Sequence, residues 1–153
     1  MLTAASSSKI SDGAAATLLM SAEDAAARGL TPLARIVAHA THSQAPEWFT
    51  TAPVTAINNV LEKAGWKVAD VDLFEINEAF SCVAMAPMKD LGIPHDKVNV
   101  HGGAVALGHP IGASGARLVV TLINALRARG GKRGVASLCI GGGEATAIAI
   151  ELT

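Results

Sequence analysis

The sequence of 153 residues is poor in aromatic side chains and in charge. It holds two Trp, three Phe and no Tyr, and 16% of its residues are charged, whereas 50% are hydrophobic. So much apolar side chain argues against a disordered chain, because a sizeable core can be buried. With few aromatics available, we expect that core to consist of Ala, Val, Leu and Ile.

Basic runs and long apolar runs are also missing. The formal net charge is −1, so the electrostatic footprint of a nucleic-acid-binding protein is absent. No stretch of ~18 residues is free of polar or charged interruptions, which argues against a membrane-spanning helix. The amino-terminal residues carry no basic segment of the kind that precedes a secretory signal. We therefore expect neither nucleic acid nor a membrane as a partner.

Cysteine is scarce as well. Cys82 and Cys139 are too few for a disulfide framework, which predicts a reducing compartment such as the cytoplasm. His39 and His42 are three residues apart on a predicted strand-to-loop stretch, where they do not share a face. No Cys or carboxylate cluster joins these histidines, so no metal site is predicted.

An alternation of strand and helix patterns begins after residue 32. Its order is βαβαβαββ, which predicts an α/β layered fold with a mixed sheet and helices on both faces. Three glycines at 141–143 join the last two strands and indicate a hairpin. The predicted strands are 34–40, 71–76, 98–100, 134–140 and 145–152, and the predicted helices are 51–64, 79–91 and 114–129.

Residues 1–32 do not fit this unit. The short apolar run 14–20 is compatible with a strand or a helix, since periodicity alone cannot decide. Ser21 predicts the start of a helix and Gly29 its end. The Leu-Thr-Pro sequence at 30–32 is the predicted boundary between residues 1–32 and a domain over 33–153.

The most informative segment runs from His101 to Gly115, between a predicted strand and a predicted helix, where α/β folds place their sites. Gly103 and Gly108 are spaced as in a P-loop. His109-Pro110 stands where Lys-Ser/Thr would grip a phosphate, so nucleotide binding is not predicted. The positive end of the following helix disfavours imidazolium and leaves His109 able to accept a proton. The alternative interpretation is a packed turn with an incidental histidine.

Two other predicted strands end in chemically useful side chains. Cys139 is followed by flexible backbone whose N–H groups can converge on an oxyanion, although such a cysteine can equally be a small core residue. Asn77 can hold a water or a carbonyl, or alternatively cap the next helix. Because the strand ends share one edge of the predicted sheet, convergence of Asn77, His109 and Cys139 there predicts an acyl-transfer site.

Three motifs around these residues resemble the signatures of thiolases, in the same order and at matching separations. They are Asn-Glu-Ala-Phe at 77–80, Gly-His-Pro-Ile-Gly-Ala-Ser-Gly at 108–115 and Cys-Ile-Gly-Gly-Gly at 139–143. The resemblance covers essentially the whole chain and implies the five-layered αβαβα thiolase fold. Residues 33–153 would be the second half of that fold, and residues 1–32 the end of its loop domain with the last strand and helix of the first half.

The resemblance also implies a role for each site residue. His109 would be the base that activates the nucleophilic cysteine and the CoA thiol, and Cys139 would exchange the α-proton of the second acyl-CoA. Asn77 would hold a water that, with His109, stabilises the thioester oxygen, and the N–H of Gly141 would be part of the oxyanion hole. The nucleophilic cysteine of the family lies upstream of the matched residues, and Cys82 does not correspond to it.

Ala4, Ser8 and Phe80 match positions that line the pantetheine tunnel of thiolases. Two departures concern the acyl chain. Phe49 stands where Met often lines the acyl pocket, and the Ser run at 6–8 replaces a more usual Asn-Ala-Ser. Both leave the preferred substrate length open but not the reaction class.

The implied activity is that of an acetyl-CoA C-acyltransferase in fatty acid metabolism, which condenses two acetyl-CoA or thiolyses 3-ketoacyl-CoA. Coenzyme A thioesters would be substrates, and no cofactor is implied. Without the nucleophile the chain alone is expected to be inactive, and a homo-oligomer is expected. The alternative is a non-catalytic CoA-binding or assembly half-protein that needs a separate first-half partner. A ketoacyl synthase relative is disfavoured, because Cys139 stands where its second histidine is expected.

Overall fold

The computed structural model describes residues 1–153 and centres on a four-stranded sheet in the order β1-β4-β3-β2. Strands β2 and β3 are parallel, and the other neighbours are antiparallel, so the predicted mixed α/β sheet is confirmed. The elements are α1 (Ala22–Ala27), β1 (Ala34–Ser43), α2 (Ala52–Ala64), β2 (Leu73–Ile76), α3 (Ser81–Leu91), α4 (Ala104–Leu107), α5 (Ser114–Arg129), β3 (Arg133–Ile140) and β4 (Glu144–Leu152). None of the helices is both long enough and apolar enough to cross a bilayer.

Helices cover both faces of the sheet, as predicted. Side chains alternate between faces along a strand, so Ala147 and Ala149 of β4 point to the α2 side and Ile150 to the α5 side. The α2 side forms the larger cluster, with 16 buried residues against seven beneath α5. Alanine dominates the α2 side of β4, and such small side chains let that helix approach the sheet closely.

Local sequence signals set the helix ends. Pro53 lies in the first turn of α2, and Gly65 ends it with a left-handed φ of 68°, a backbone conformation that favours glycine. The side chain of Ser21 accepts the N–H of Asp24 at 3.0 Å and caps α1. The glycine hairpin is also confirmed, since Ile140 pairs with Glu144 across it.

Residues 98–100, predicted as a strand, are not one. Val98 forms a single bridge with Phe74, and Asn99 then adopts a φ of 48°, which lies outside the strand region. The Asn99 side chain replaces the missing ladder: its Oδ1 accepts the N–H of Ile76 at 2.8 Å, and its Nδ2 donates to the carbonyl of Ile76 at 2.8 Å. The predicted five-strand order is therefore corrected to four strands, with one edge of β2 closed by a side chain.

Residues 14–20 form neither the strand nor the helix that their composition allows. Leu18 and Leu19 are 80% and 69% exposed. No strand of the chain pairs with this run, and an unpaired strand is not stable in water. Conversely, a helical turn that the sequence does not predict, α4, lies inside the glycine-rich segment before His109.

Candidate functional site

His109 lies between α4 and α5 and is held from two sides. Its backbone N–H donates to the carbonyl of Lys9 at 2.7 Å, and Ile10 forms a parallel bridge with it. On the other side, its Nδ1 lies 2.6 Å from the Oγ of Ser114, the first residue of α5. The amino-terminal segment and α5 together fix the imidazole.

Ser114 also selects the tautomer of this histidine. Its buried hydroxyl has one proton, which it donates to the carbonyl of Pro110 at 3.1 Å. The Oγ lone pair therefore accepts the proton on Nδ1 of His109 and leaves Nε2 unprotonated. Nε2 faces the Nδ2 of Asn77 at 3.4 Å. The ring thus turns an unprotonated Nε2 towards Asn77, and this nitrogen can accept a proton, as a base requires.

The surroundings of His109 keep it neutral. Burial lowers its pKa from the usual value, and the positive charge of Arg117 on α5 lowers the pKa further. Both effects disfavour imidazolium. The sequence predicts the same direction from the helix terminus, whereas the structure identifies burial and Arg117 as the causes.

Asn77 directly follows β2 and is fully buried. Its N–H donates to the carbonyl of Ser137 at 2.9 Å and extends the pairing with β3. The interpretation of Asn77 as a helix cap is wrong, because Phe80 is the N-cap of α3. With Nδ2 turned to His109, its Oδ1 is buried and has no hydrogen-bond partner. Such an oxygen costs about 1–3 kcal/mol, so this site is suited to a donor from a water or a ligand.

Cys139 lies near the end of β3, the strand beside β2. Neighbouring strands in a sheet lie ~4.8 Å apart. Because β2 and β3 are parallel neighbours, Asn77 and Cys139 lie at the same edge of the sheet, the one formed by the carboxyl ends of these strands. Burial raises the pKa of the Cys139 thiol, and the nearby Cys82 raises it further. The thiol therefore stays protonated at neutral pH, which suits proton transfer better than nucleophilic attack.

The loop after Cys139 is exposed at Gly141, where the space that a Cβ would occupy is open. At the other end of the loop, Gly143 has a φ of 96° and lies against the backbone of Gln44. A Cβ on Gly143 would approach the Gln44 carbonyl oxygen to 2.2 Å. This close approach fixes the glycine loop onto the segment that follows β1.

The predicted substrate-lining residues lie on the side of the site formed by the amino-terminal segment. The N–H and the hydroxyl of Ser8 both donate to the carbonyl of Ala79, at 3.1 and 3.0 Å. The ring of Phe80 packs edge-on against Phe49, with centroids 6.1 Å apart. Ala4 is exposed and opens a short 3-10 turn just before Ser8. Ser8 and Phe80 are brought together, and Ala4 lies further out.

Sequence reasoning missed the residues that shape the approach to His109. Glu78 accepts the Nδ2 of Asn99 at 2.9 Å and the N–H of Val105 at 3.1 Å. Gly103 lies over this carboxylate, where a Cβ would come within 2.1 Å of it. Glu78 thereby positions α4 and the segment that leads to His109. The available signal was a carboxylate placed directly after a buried strand.

The histidines outside this site do not form a metal centre. His39 and His42 both lie in β1, at positions that alternate between the two faces of the sheet. No group of three or more His, Cys, Asp or Glu side chains has an arrangement that could hold a metal ion. That the protein needs no metal stays a prediction.

Known proteins resemble this chain in sequence and in fold. The family model described as Thiolase, C-terminal domain matches residues 30–152. Acetyl-CoA acetyltransferase 1 of Arabidopsis thaliana is 53% identical over 98% of this chain and 36% of its own length.

The crystal structure of the Bacillus anthracis acetyl-CoA acetyltransferase gives a TM-score of 0.96 at 47% identity, over 99% of this chain and 39% of that one. The crystal structure of human mitochondrial 3-ketoacyl-CoA thiolase in complex with CoA gives 0.91 at 40% identity, again over 99% and 39%. The chain therefore spans less than two fifths of the length of these proteins.

Proposed function

This chain belongs to the thiolase C-terminal domain family, and from that membership we propose that it supplies the acid/base half of an acyl-CoA acyltransferase site. The reaction is the condensation of two acetyl-CoA molecules, or its reverse, the CoA-dependent thiolysis of a 3-ketoacyl-CoA. The observation that carries the proposal is the 3.4 Å contact between Nε2 of His109 and Nδ2 of Asn77, at the sheet edge that also bears Cys139. The acylated nucleophile is to be supplied by residues outside this chain.

His109 is the proposed base. Its Nε2 takes the proton of the attacking thiol, first from the nucleophilic cysteine and then from CoA, and later returns it. The hydrogen bond from Nδ1 to Ser114 keeps Nε2 free for this, and the lowered pKa of His109 keeps the ring in its base form at neutral pH. Proton transfer by a positioned side chain typically contributes ~10²–10⁴-fold to a rate.

Cys139 is the proposed acid/base that exchanges a proton with the reacting α-carbon. In thiolysis the bond between Cα and the 3-keto carbon breaks, and the thiol of Cys139 gives its proton to the resulting carbanion. In condensation its thiolate removes the same α-proton. The raised pKa of Cys139 supports the thiolysis direction of this role, because it keeps the proton on sulfur until the carbanion forms.

The remaining site residues are proposed to stabilise charge and to bind substrate. Asn77, whose buried Oδ1 has no partner in the chain, holds a water that stabilises the thioester oxygen together with His109. The N–H of Gly141 is one donor of the oxyanion hole, and the N–H of the absent nucleophile is the other. Ala4, Ser8 and Phe80 line the path of the pantetheine arm.

Coenzyme A thioesters are the proposed substrates, with no further cofactor, and the solved human thiolase with bound CoA supports this choice. Residues 33–153 form the carboxy-terminal domain of the thiolase fold in this proposal, and residues 1–32 are the tail of its loop domain with the last strand and helix of the first half. Both cysteines are free thiols, which suits the reducing conditions of the cytoplasm. Fatty acid metabolism is the proposed setting.

The chain is proposed to associate with a further chain, either a second copy or a first-half partner. Leu18 and Leu19 are exposed, and an apolar groove beside α5 is lined by Leu118, Leu138 and Ile148. Exposed apolar patches of this kind favour association. Light scattering of the purified chain is expected to give a mass above that of the monomer, and a single monomeric species would count against this part of the proposal.

A complementation assay tests the catalytic proposal. The purified chain is expected to show no thiolysis of acetoacetyl-CoA. Addition of the separately expressed preceding part of the Arabidopsis relative is expected to yield turnover, which Cys139→Ser lowers by ~10²–10⁴-fold. Cys82→Ser, at the other half-buried cysteine, serves as the matched control. It is expected to change the rate far less than Cys139→Ser, because Cys82 acts only through the pKa of Cys139.

Three outcomes would contradict the catalytic proposal. Thiolysis by the chain alone, free of longer species, would show that the nucleophile is not needed from outside. Equal losses in Cys82→Ser and Cys139→Ser would remove the assigned role of Cys139. Binding of CoA without turnover in any mixture would favour the alternative of a non-catalytic CoA-binding or assembly half-protein.

A further inference from the structure

A second, buried contact joins the two elements that meet at His109. Glu75 lies in β2, two residues before Asn77 and therefore on the same face of the sheet. Arg117 lies on α5, about one turn after Ser114. The Nη1 of Arg117 is 3.4 Å from the Oε2 of Glu75, with side chains that are 20% and 1% exposed. The chain around the end of β2 and the chain around the start of α5 are thus in contact twice, once between Asn77 and His109 and once between Glu75 and Arg117.

Fold stability does not explain this ion pair. Burial of two charges costs as much free energy as their attraction returns, unless further hydrogen bonds satisfy the remaining atoms. Here the Oε1 of Glu75 is buried without a partner. The more informative feature is the place of the pair, since Glu75 lies two residues before Asn77 and Arg117 three residues after Ser114, and Asn77 and Ser114 both contact His109.

We propose that Glu75 and Arg117 are positioning residues for His109. The pair holds the first turns of α5 against the end of β2, and so sets the separation between Nε2 of His109 and Nδ2 of Asn77. It also sets the net charge beside the imidazole, because Glu75 compensates the guanidinium of Arg117. The consequence for catalysis rests on the proposed function, whereas the effect on His109 is measurable in the chain alone.

The charged groups around this pair act in definite directions. On α5, Arg117 adds to the effect of burial and lowers the pKa of His109. On β2, burial raises the pKa of Glu75 to about 7, Arg117 opposes that rise and the neighbouring Glu78 adds to it. Arg117 is therefore the charge that acts on His109, and Glu75 is the group that moderates it.

The other elements at His109 contribute little charge. In the amino-terminal segment, Lys9 offers its carbonyl to His109, while its ammonium is turned to the carbonyl of Ala4 at 2.6 Å. On β3, the raised pKa of Cys139 keeps that thiol neutral. Substitution of Arg117 is therefore expected to change the titration of His109 directly.

The test is the NMR titration of the His109 ring in the 153-residue chain, with the signal assigned by its loss in His109→Asn. Arg117→Gln removes the positive charge, and the midpoint of His109 is expected to shift to higher pH. Glu75→Gln keeps the side-chain shape. Because burial raises the pKa of Glu75 to about 7, this carboxyl is largely protonated where His109 titrates, and the midpoint in Glu75→Gln is expected to stay close to that of the unmodified chain. Arg117→Lys retains the charge and is expected to stay close to the unmodified chain.

Arg127→Gln is the matched control, since Arg127 lies exposed in the last turn of the same helix. It is expected to leave the midpoint of His109 unchanged. A purely structural role for the pair predicts no shift in Arg117→Gln, or a shift of the same size in Arg117→Lys. Either result would overturn the proposal.

The unmodified chain supplies a readout that does not depend on the folding of Arg117→Gln. Because Glu75 titrates near pH 7, the His109 signal is expected to move in two steps in the unmodified chain and in one step in Glu75→Gln. Circular dichroism establishes that Glu75→Gln is folded. One-step titration in both proteins would refute the coupling.

Activity in the complemented enzyme separates this inference from the proposed function. Arg117→Gln is expected to lower kcat by ~10-fold with KM little changed, and the acidic limb of the pH profile should follow the NMR midpoint. A raised His109 midpoint in Arg117→Gln without any turnover would leave the positioning role intact and contradict the acyltransferase proposal. Turnover together with an unchanged His109 midpoint in Arg117→Gln would support the acyltransferase proposal and overturn the positioning role.

Discussion

Residues 1–33 and residues 34–153 both carry apolar runs, but only the second region buries them. Leu18 and Leu19 in the first region are 80% and 69% exposed, whereas all four residues of β2 are buried. Strand β2 has β3 on one edge and the Asn99 side chain on the other. Apolar side chains enter a core only when their backbone N–H and C=O groups find partners there. The two regions therefore differ more in the hydrogen bonding of their backbone than in the hydrophobicity of their side chains.

The first region is nevertheless attached where it meets the site. Lys9 accepts the N–H of His109, and Ser8 donates to Ala79. Gly13 lies so close to the ring of Pro110 that a Cβ would come within 2.7 Å of it. These contacts hold the amino-terminal side of the candidate site without adding to the core. The two regions therefore differ in burial while both contribute to the candidate site.

The largest expected difference between the two regions comes from a pair of large-to-small substitutions, one in each region. Phe74→Ala, in the larger core cluster at 1% exposure, is expected to lower the free energy of unfolding by about 3–5 kcal/mol, through lost burial and a cavity. Leu18→Ala in the exposed run is expected to change it by less than ~0.5 kcal/mol. Urea unfolding monitored by circular dichroism measures both. Similar losses would show that the exposed run belongs to the same cooperative unit.

A pH series tests whether the stability of the second region depends on Glu75. Burial raises the pKa of Glu75 from 4.5 to about 7, so between these values the folded chain binds the proton that the unfolded chain releases. The contribution is present in full below pH 4.5 and is lost as pH rises through about 7. Because one pKa unit corresponds to about 1.36 kcal/mol, the loss is roughly 3–4 kcal/mol.

The reference for this series is Glu75→Gln, which lacks the titrating group. The difference in unfolding free energy between the two proteins isolates Glu75 from the opposite trend of His109, whose pKa is lowered. We expect the unmodified chain to lose stability relative to the variant as pH rises. A difference that is flat with pH, or that grows in favour of the unmodified chain, would contradict the assignment.

The closure of β2 by a side chain gives a third test. Asn99→Ala leaves the buried N–H and C=O of Ile76 without their partners and is expected to cost about 2 kcal/mol of unfolding free energy. Asn99→Gly keeps the left-handed backbone and separates strain from the lost hydrogen bonds. Asn124→Ala, an exposed Asn on α5 that bonds only to Val120, should change stability by less than ~0.5 kcal/mol.

The smallest expected effect lies in the first region. Ser21→Ala removes the cap of α1 and is expected to destabilise that helix by ~1 kcal/mol, which faster amide exchange at Asp24 would report. Global unfolding should remain unchanged, because α1 buries only Ala25. If the global unfolding free energy also fell by ~1 kcal/mol, α1 would have to be part of the cooperative core.

Local signals account for the elements that sequence reasoning predicted correctly. Helix α2, with Pro53 near its start and Gly65 at its end, and the glycine hairpin depend on residues close together in the chain. The segment 98–100 failed for the opposite reason. Two valines around Asn99 predict a strand, but the pairing that decides the matter is made by the Asn99 side chain with Ile76, 23 positions away.

The features of the candidate site also fall into those that the sequence predicts and those that only the folded structure sets. The chain's own motifs were sufficient to predict that Asn77 and His109 approach each other, and their contact is observed. The tautomer of His109 depends on the Ser114 hydroxyl and its bond to Pro110. No pattern of spacing encodes that geometry, because it arises only when α5 is placed on the sheet.

Sequence patterns alone determined most of the strands and helices, and which three segments are predicted to carry chemistry, because periodicity, capping and turn residues act over a few positions. Tertiary structure decided which of those residues are charged, which nitrogen of His109 is free, and that Glu75 and Arg117 lie beside it. Burial and electrostatic interaction depend on distances between residues that are remote in the chain, and only the folded arrangement sets those distances.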